Sequence, residues 1–199
     1  MCGRYTRTLK VAELEQTFRR RFPALAASYN VAPSQPVVAF DGREEGFVAT
    51  WGFRPGWSDR AVINARDDKL ATSRFWKAAD GRVAIPATGF YEWQKTEGGK
   101  RPHHIAFADT TPFAFAGLRV DNADGPTVAI VTTSPNDLMR PIHDRMPVML
   151  RGQAIDRWLA DGRFDSIGSD DLVAVEVSTT VNSPKNDRPE CLTPVARAH

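Results

Sequence analysis

Apolar residues along this chain fall mostly into short runs, with few long periodic stretches. Val11, Leu14, Phe18 and Phe22 recur at helical spacing, which predicts an amphipathic helix over residues 9–21, capped near Thr8. Ile155, Trp158 and Leu159 predict a short helix over 153–160, and residues 73–79 predict another. The remaining runs are β-type: 36–40, 46–53, 82–93, 103–109, 113–120, 126–133, 146–150 and 171–177, divided by Gly, Pro and Asp. Tyr29-Asn30-Val31-Ala32-Pro33 reads as a turn or extended segment, because Pro33 steers its neighbour out of the helical region. Long helices do not alternate with the strands, so a doubly wound parallel sheet is not expected. The pattern predicts an α+β fold over residues 1–199. It is a single domain with a strongly curved, partly closed, mixed or antiparallel sheet and a few short helices. The tail after about residue 195 is expected to fray.

Composition narrows the class. With 199 residues and 42% hydrophobic positions the chain can bury one real core, and is short for two. A charged fraction of 25% fits a soluble globular protein better than a disordered one. No apolar run approaches the ~20 residues that span a bilayer, and the start lacks a basic-then-apolar signal, so a cytoplasmic protein with no membrane partner is expected. Cys2 and Cys191 sit at opposite ends, which argues against a disulfide framework. His103, His104, His143 and His199 lack metal-ligand spacing, so neither a metal nor another cofactor is expected.

Net charge is +2, but it is unevenly spread. Residues 1–21 carry Arg4, Arg7, Lys10, Arg19, Arg20 and Arg21 against Glu13 and Glu15. Residues 51–82 interleave seven Lys and Arg with Trp51, Phe53, Trp57, Phe75 and Trp76. Cations among aromatics suit a single nucleic-acid strand, whose phosphates need charge and whose unstacked bases need flat faces. A solvated face over core aromatics has the same composition.

Cys2 offers distinct chemistry. A small residue at position 2 normally permits removal of Met1, which leaves an α-amine and a thiol on one residue. Such a 1,2-aminothiol attacks an aldehyde with its amine and closes a thiazolidine ring with its sulfur. An ordinary α-amine, with a pKa of about 8, is on the order of 10% unprotonated at pH 7, whereas a lysine amine is free to only about 0.04%. An incidental cysteine beside a loose terminus is the plain alternative.

Three further segments carry candidate groups. In Gly89-Phe90-Tyr91-Glu92-Trp93 a buried Glu92 would have its pKa raised and could shuttle protons near neutrality; a rim carboxylate is the alternative. In Ile142-His143-Asp144-Arg145-Met146-Pro147, extended backbone would turn His143 and Arg145 the same way, one to move protons and one to grip phosphate. Ile63-Asn64-Ala65-Arg66 repeats that spacing with an amide and a guanidinium, and Arg74 follows; Asn64 could equally cap a turn.

Together with Met1-Cys2-Gly3-Arg4-Tyr5, Tyr29-Asn30-Val31-Ala32-Pro33 and Trp51-Gly52-Phe53, these segments occur in an order that closely resembles the SOS response-associated peptidase (SRAP) family, from Cys2 to about Cys191. The resemblance implies an SRAP-like fold. It also implies a monomer that binds single-stranded DNA, associates with the nucleoid when bound, and joins the aldehyde of an abasic site to Cys2 as a thiazolidine. By motif match, Cys2 is the nucleophile, Glu92 assists ring opening and proton relay, His143 sits beside the sugar, and Asn64 orients Cys2. Arg4, Arg66, Arg74 and Arg145 hold phosphates; Asn30, Pro33 and Trp57 belong to the DNA-binding edge. Where some members carry a second Trp after the first, this chain has Ser58. Reversal of the cross-link and a minor lyase activity through β-elimination are compatible with this chemistry.

Readings from other classes remain. N-terminal-nucleophile glutamine amidohydrolases also begin Cys-Gly, but here Arg4-Tyr5 replaces an apolar continuation and no Asn-Gly glutamine-binding stretch follows. A non-catalytic single-stranded DNA reader and a specific protease are the others.

Overall fold

The first element is a strand. In the computed structural model, which describes residues 2–56, 58–77, 79 and 81–195, β1 (Arg4–Arg7) leads into α1 (Val11–Phe18), β2 (Ser28–Val31), β3 (Pro36–Ala39) and β4 (Phe47–Trp51). A short middle segment holds β5 (Asn64–Arg66), α2 (Asp67–Leu70) and α3 (Arg74–Lys77). The long strands follow: β6 (Gly81–Ala87), β7 (Gly89–Thr96), β8 (Gly99–Phe107), β9 (Phe113–Asn122) and β10 (Gly125–Thr133). The chain then runs through β11 (Met146–Pro147), β12 (Met149–Leu150), α4 (Gln153–Asp161) and β13 (Leu172–Glu176), with single-turn helices at Ser169–Asp171, Thr179–Asn182 and Pro189–Leu192. Met1, Trp57 and the tail from Ala196 lie outside the described residues.

The strands form two sheets. One is antiparallel, in the order β13-β8-β7-β1-β2. The other is built on the β9–β10 hairpin, with β6 on the far edge of β9 and β4–β3 beyond β10. β4 and β5 pair in parallel with successive stretches of β10, Thr127–Val128 and then Ile130–Thr132, which makes this sheet mixed. Where β9 and β10 part, residues 146–150 wedge between them. The Val148 N–H donates to the Val131 carbonyl (2.9 Å), and the Ala116 N–H donates to the Val148 carbonyl (2.9 Å). The result is the α+β architecture with a curled sheet and few helices that the apolar pattern predicts.

Two local expectations are corrected. Residues 82–93 read as one run but form β6 and β7, which belong to different sheets. The chain crosses at Thr88, whose N–H donates to the Thr6 carbonyl (2.8 Å) and whose hydroxyl donates to the Thr6 hydroxyl (3.0 Å). Both strands are apolar on their buried faces, so hydropathy runs through the crossing without a break. The first helix is shorter than residues 9–21. Lys10, not Thr8, precedes it, with its N–H taken by the Glu13 carboxylate (2.7 Å), and Arg19 ends it in the left-handed region at φ 53°. Thr8 is drawn off to the Thr88 hydroxyl (3.3 Å).

The core has two layers. Between the sheets, Tyr5, Phe90 and Phe107 from the first meet Trp51, Phe113 and Phe115 from the second. Edge-on ring pairs join them, such as Tyr5–Trp51 (5.3 Å), Tyr5–Phe115 (5.4 Å) and Phe107–Phe113 (5.4 Å). On the outer face of the mixed sheet, Val38, Phe40, Ala84, Ala116 and Leu150 pack in one cluster with Leu14 of α1 and Ile155 and Trp158 of α4. That sheet is therefore covered on both faces, which explains its continuous apolar runs. Each such large side chain contributes about 1.5–3 kcal/mol by leaving water. No helix among the described residues is long and apolar enough to cross a membrane.

Gly89 shows how tightly β7 and β8 approach: a Cβ there would lie 2.2 Å from Nε2 of His104. That His104 ring packs on Tyr91 (5.1 Å between centroids), and its Nε2 pairs with the Thr6 hydroxyl (3.2 Å). Burial lowers its pKa from 6.5 to about 4. Because the folded pKa is depressed, the unfolded chain binds the proton more readily below neutrality. The stabilisation is full above about pH 6.5, is lost as pH falls toward about 4, and totals at most about 3 kcal/mol. Urea denaturation at about pH 7 and about pH 5 should show wild type losing about 1–2 kcal/mol more than His104→Gln. Equal losses would mean that His104 stays solvated enough to titrate normally.

Candidate active site

β1 places Cys2. Its register against β7, Arg4↔Tyr91 and Tyr5↔Phe90, is antiparallel, so the chain preceding Arg4 runs along Glu92. Cys2 is fully buried, and its sulfur lies 3.8 Å from the Arg4 carbonyl. Burial first, and the charge of Glu92 second, push its thiol well above the ordinary cysteine range. The sulfur therefore rests protonated.

Asn64 holds Cys2 from the other sheet. It lies on β5, which pairs with Ile130 of β10, and the preceding Ile63 carbonyl accepts from the Trp51 indole (3.0 Å). Asn64 Nδ2 donates to the Cys2 carbonyl at 2.9 Å. Its Oδ1 is buried and has no hydrogen-bond partner among the described residues. The sequence expectation that Asn64 orients Cys2 corresponds to this contact.

Glu92 on β7 has a side chain only 4% exposed, and burial raises its pKa, an effect partly offset by His143. His143 Nε2 lies 4.0 Å from Glu92 Oε2. The other ring nitrogen, Nδ1, accepts the Arg145 N–H (3.1 Å) and lies 2.9 Å from the exposed Asp144 carboxylate. Nδ1 thus has a partner whether or not it carries a proton, a useful property in a group that passes protons. Two main-chain bonds from Met139, to Ile142 and His143 (both 2.8 Å), shape the loop that delivers the ring.

The expected strand-contacting residues divide into two groups. Arg66 and Arg74 face solvent, the first paired with Asp68 through two 2.9 Å bonds. Pro33 is half-buried in the turn closed by the Gln35 N–H on the Ala32 carbonyl (3.3 Å). Arg145 is turned inward: its side chain is 9% exposed, with Nη2 on Asp67 (2.7 Å) and on the Thr132 carbonyl. Arg4 donates to Asn30 Oδ1 (3.0 Å) and the Val181 carbonyl (2.9 Å). Asn30 is wholly buried, its amide donating to the carbonyls of Asn186 (2.7 Å), Ser183 (3.0 Å) and Val181 (3.2 Å). Arg4 and Asn30 thereby fasten the 181–186 loop to β1 and β2. The expectation for Trp57 falls outside the described residues.

An apolar groove adjoins Asn64. Phe53, Phe75 and Trp76 wall a space of about 270 Å3, with Arg66 and Lys69 on its rim. Phe53 and Phe75 stack at 4.9 Å, 13° from parallel. The sequence pattern singled out these aromatics with their interleaved cations but not their gathering beside Asn64. It also missed Asp67, whose neighbours in sequence give no sign of the partner it meets.

Fold and site together define a class: a two-sheet α+β protein whose second residue is buried in a Cys–Glu–His cluster. Residues 1–184 match the family described as SOS response associated peptidase (SRAP), and the chain belongs to that family. It is 35% identical to the abasic site processing protein YoqW of Bacillus subtilis, over 96% of this chain and 99% of that one. It is 32% identical to the abasic site processing protein YedK of Escherichia coli, over 98% of this chain and 100% of that one. A crystal structure of a Bacteroides thetaiotaomicron protein, 21% identical, shares the fold with a TM-score of 0.82 over 98% of this chain and 100% of that one.

Burying an ionisable carboxyl has a thermodynamic consequence. The raised pKa of Glu92 means that the folded state favours its neutral form, so its ionisation at higher pH weakens folding. Glu92→Gln is expected to raise Tm at about pH 8, by about 2–4 °C per kcal/mol of relieved charge burial, with the gap closing as pH falls through the raised pKa. A gap that stays constant with pH would mean that charge burial is not its origin.

Proposed function

We propose that this protein processes abasic sites in single-stranded DNA by joining the ring-opened sugar covalently to Cys2. The observation that carries the reading is the clamp on Cys2, its carbonyl held by Asn64 at 2.9 Å beside the buried carboxyl of Glu92. A nucleophile fixed in place converts a bimolecular attack into a nearly unimolecular one.

Removal of Met1 frees the Cys2 amine on a residue whose carbonyl Asn64 already holds. The amine adds to the C1′ aldehyde to give a carbinolamine. Glu92, whose pKa burial raises, donates to the departing hydroxyl; water leaves, and the nitrogen returns its proton to the Glu92 carboxylate to give an imine. The Cys2 sulfur then adds to the imine carbon, its proton passing to the nitrogen, and the thiazolidine closes. A thiol held protonated suits this order, amine first and sulfur second. His143, 4.0 Å from Glu92, completes the proton path beside the sugar. An imine that persists before sulfur adds would allow β-elimination, a minor lyase activity. Arg66 and Arg74 face solvent where phosphates would pass, and the Phe53–Phe75 groove offers an apolar face to an unstacked base.

Incubation with an abasic oligonucleotide should give a shifted band that survives denaturation. Cys2→Ala should lose that band, and Cys2→Ser, which keeps the amine without the thiol, should give a product trapped only by borohydride. A wild-type-like band from Cys2→Ala would overturn the reading.

The exposure of the arginines makes a separate prediction for binding to intact strands. Arg66→Ala and Arg74→Ala should each weaken binding and flatten its salt dependence, by about 0.7 in the log–log slope for each phosphate no longer neutralised. An unchanged slope in both variants would place the strand on another face.

A further inference from the structure

We infer that Asp67 is a positioning residue for this site, a single carboxylate that fixes the Cys2 side and the His143 side in one geometry. The inference rests on the reading of Cys2 chemistry above. Its basis is the set of bonds that converge on Asp67. Oδ1 accepts from Arg145 Nη2 (2.7 Å) and from the Asp68 N–H (2.8 Å), and Oδ2 accepts from the Thr133 hydroxyl (2.6 Å).

Each bond reaches a different part of the site. Asp67 begins α2 directly after β5, whose Asn64 holds the Cys2 carbonyl. Thr133 is the last residue of β10, the strand on which β5 is paired. Arg145 carries the main-chain N–H that binds His143 Nδ1, so the anchorage of its side chain sets where that N–H points. Opposite charge and shared hydrogen bonds hold Asp67 well ionised: its carboxyl lies below the ordinary aspartate range despite the burial that opposes this, with Thr133 and Arg145 the strongest contributors to the lowering. Arg145 depends on this contact. Its Nε is buried without a partner among the described residues, and the Thr132 carbonyl is the other acceptor on Nη2. Removing the carboxylate leaves the guanidinium without its charge partner, with the Thr132 carbonyl its remaining acceptor on Nη2. Arg145 would then swing outward and take the His143 loop with it.

Asp67 is thus distinguished from its neighbour Asp68, which pairs with the exposed Arg66 at the surface. An exposed pair of that kind yields readily to a phosphate, whereas the Asp67–Arg145 pair is largely sealed from solvent.

The test compares wild type, Asp67→Ala, Asp67→Asn, Asp67→Glu and Asp68→Ala. Binding to an intact oligonucleotide is measured alongside the single-turnover cross-linking rate with saturating abasic oligonucleotide, across pH. Asp67→Ala is expected to bind the intact strand within about twofold of wild type, or more tightly, while cross-linking at least about tenfold more slowly. Its pH–rate profile should differ in shape from that of wild type. Asp67→Glu should recover part of the rate, and Asp68→Ala should cross-link at the wild-type rate. If Asp67→Ala does not fold, Asp67→Asn carries the comparison, because it keeps the side chain's shape and one acceptor oxygen while losing the charge and the second acceptor. A folded Asp67 variant with wild-type rate and pH profile overturns the inference. So does one whose binding and rate fall by the same factor, which would make Asp67 part of the binding surface alone. Absence of any covalent product from wild type would instead remove the reading on which the inference stands.

Discussion

The antiparallel pairing of β1 with β7, anchored by Tyr5, is the constraint on which the rest of the structure depends. Chain ends ordinarily fray, because ordering each residue costs about 1–2 kcal/mol of backbone entropy. Here residues 4–6 lie opposite Tyr91, Phe90 and Gly89 of β7, and the Tyr5 ring enters the aromatic layer between the sheets. Burying that ring contributes about 2–3 kcal/mol, which offsets the ordering of one or two residues and leaves the rest to the strand pairing on both edges of β1. The bond from Asn64 to the Cys2 carbonyl supplies the remaining restraint from the opposite sheet. The hydroxyl of Tyr5 has no hydrogen-bond partner among the described residues, a penalty the fold tolerates at the point where it must fix its N-terminus.

Burial then sets the chemistry. It raises the pKa of both Cys2 and Glu92, so each favours its neutral, proton-bearing form. A neutral carboxyl can donate a proton, and a protonated thiol is a weaker nucleophile than its thiolate. The same desolvation that prepares both groups weakens folding whenever Glu92 ionises, a conflict between stability and reactivity common to sites of this kind. His143 stands on the less buried side, 27% exposed, where protons can exchange with solvent.

Much of this was legible in the sequence. Short apolar runs with few helical periods implied the α+β class. Cys2 stood out for its aminothiol, Glu92 for lying among aromatics, and His143 and Asn64 for standing two residues before an arginine, and the structure gathers these four around the N-terminal strand. What hydropathy could not show was where one strand hands over to the next. Residues 82–93 stay apolar through Thr88 because both β6 and β7 bury side chains, although they bury them in different sheets. β5 was equally invisible: three residues are too few to display a period, and Asn64 and Arg66 are both polar.

Charged side chains were the hardest to read, because residue type states what a group can pair with but not where the fold has already paired it. Arg66 and Arg145 looked alike in sequence, each two residues after a candidate site residue. Both meet an aspartate from the same turn, Asp68 and Asp67, yet the environments differ: the Arg66 side chain is 50% exposed and that of Arg145 is 9% exposed. In water, a phosphate competes with Asp68 on nearly equal terms, so Arg66 remains open to a strand. Inside, with the desolvation of both ions already met by folding, separating Arg145 from Asp67 strands a buried charge. One arginine therefore lies on the exposed surface and the other in the buried frame around the site. Only the depth at which the chain sets them, governed by β5 and the wedge at residues 146–150, makes the distinction.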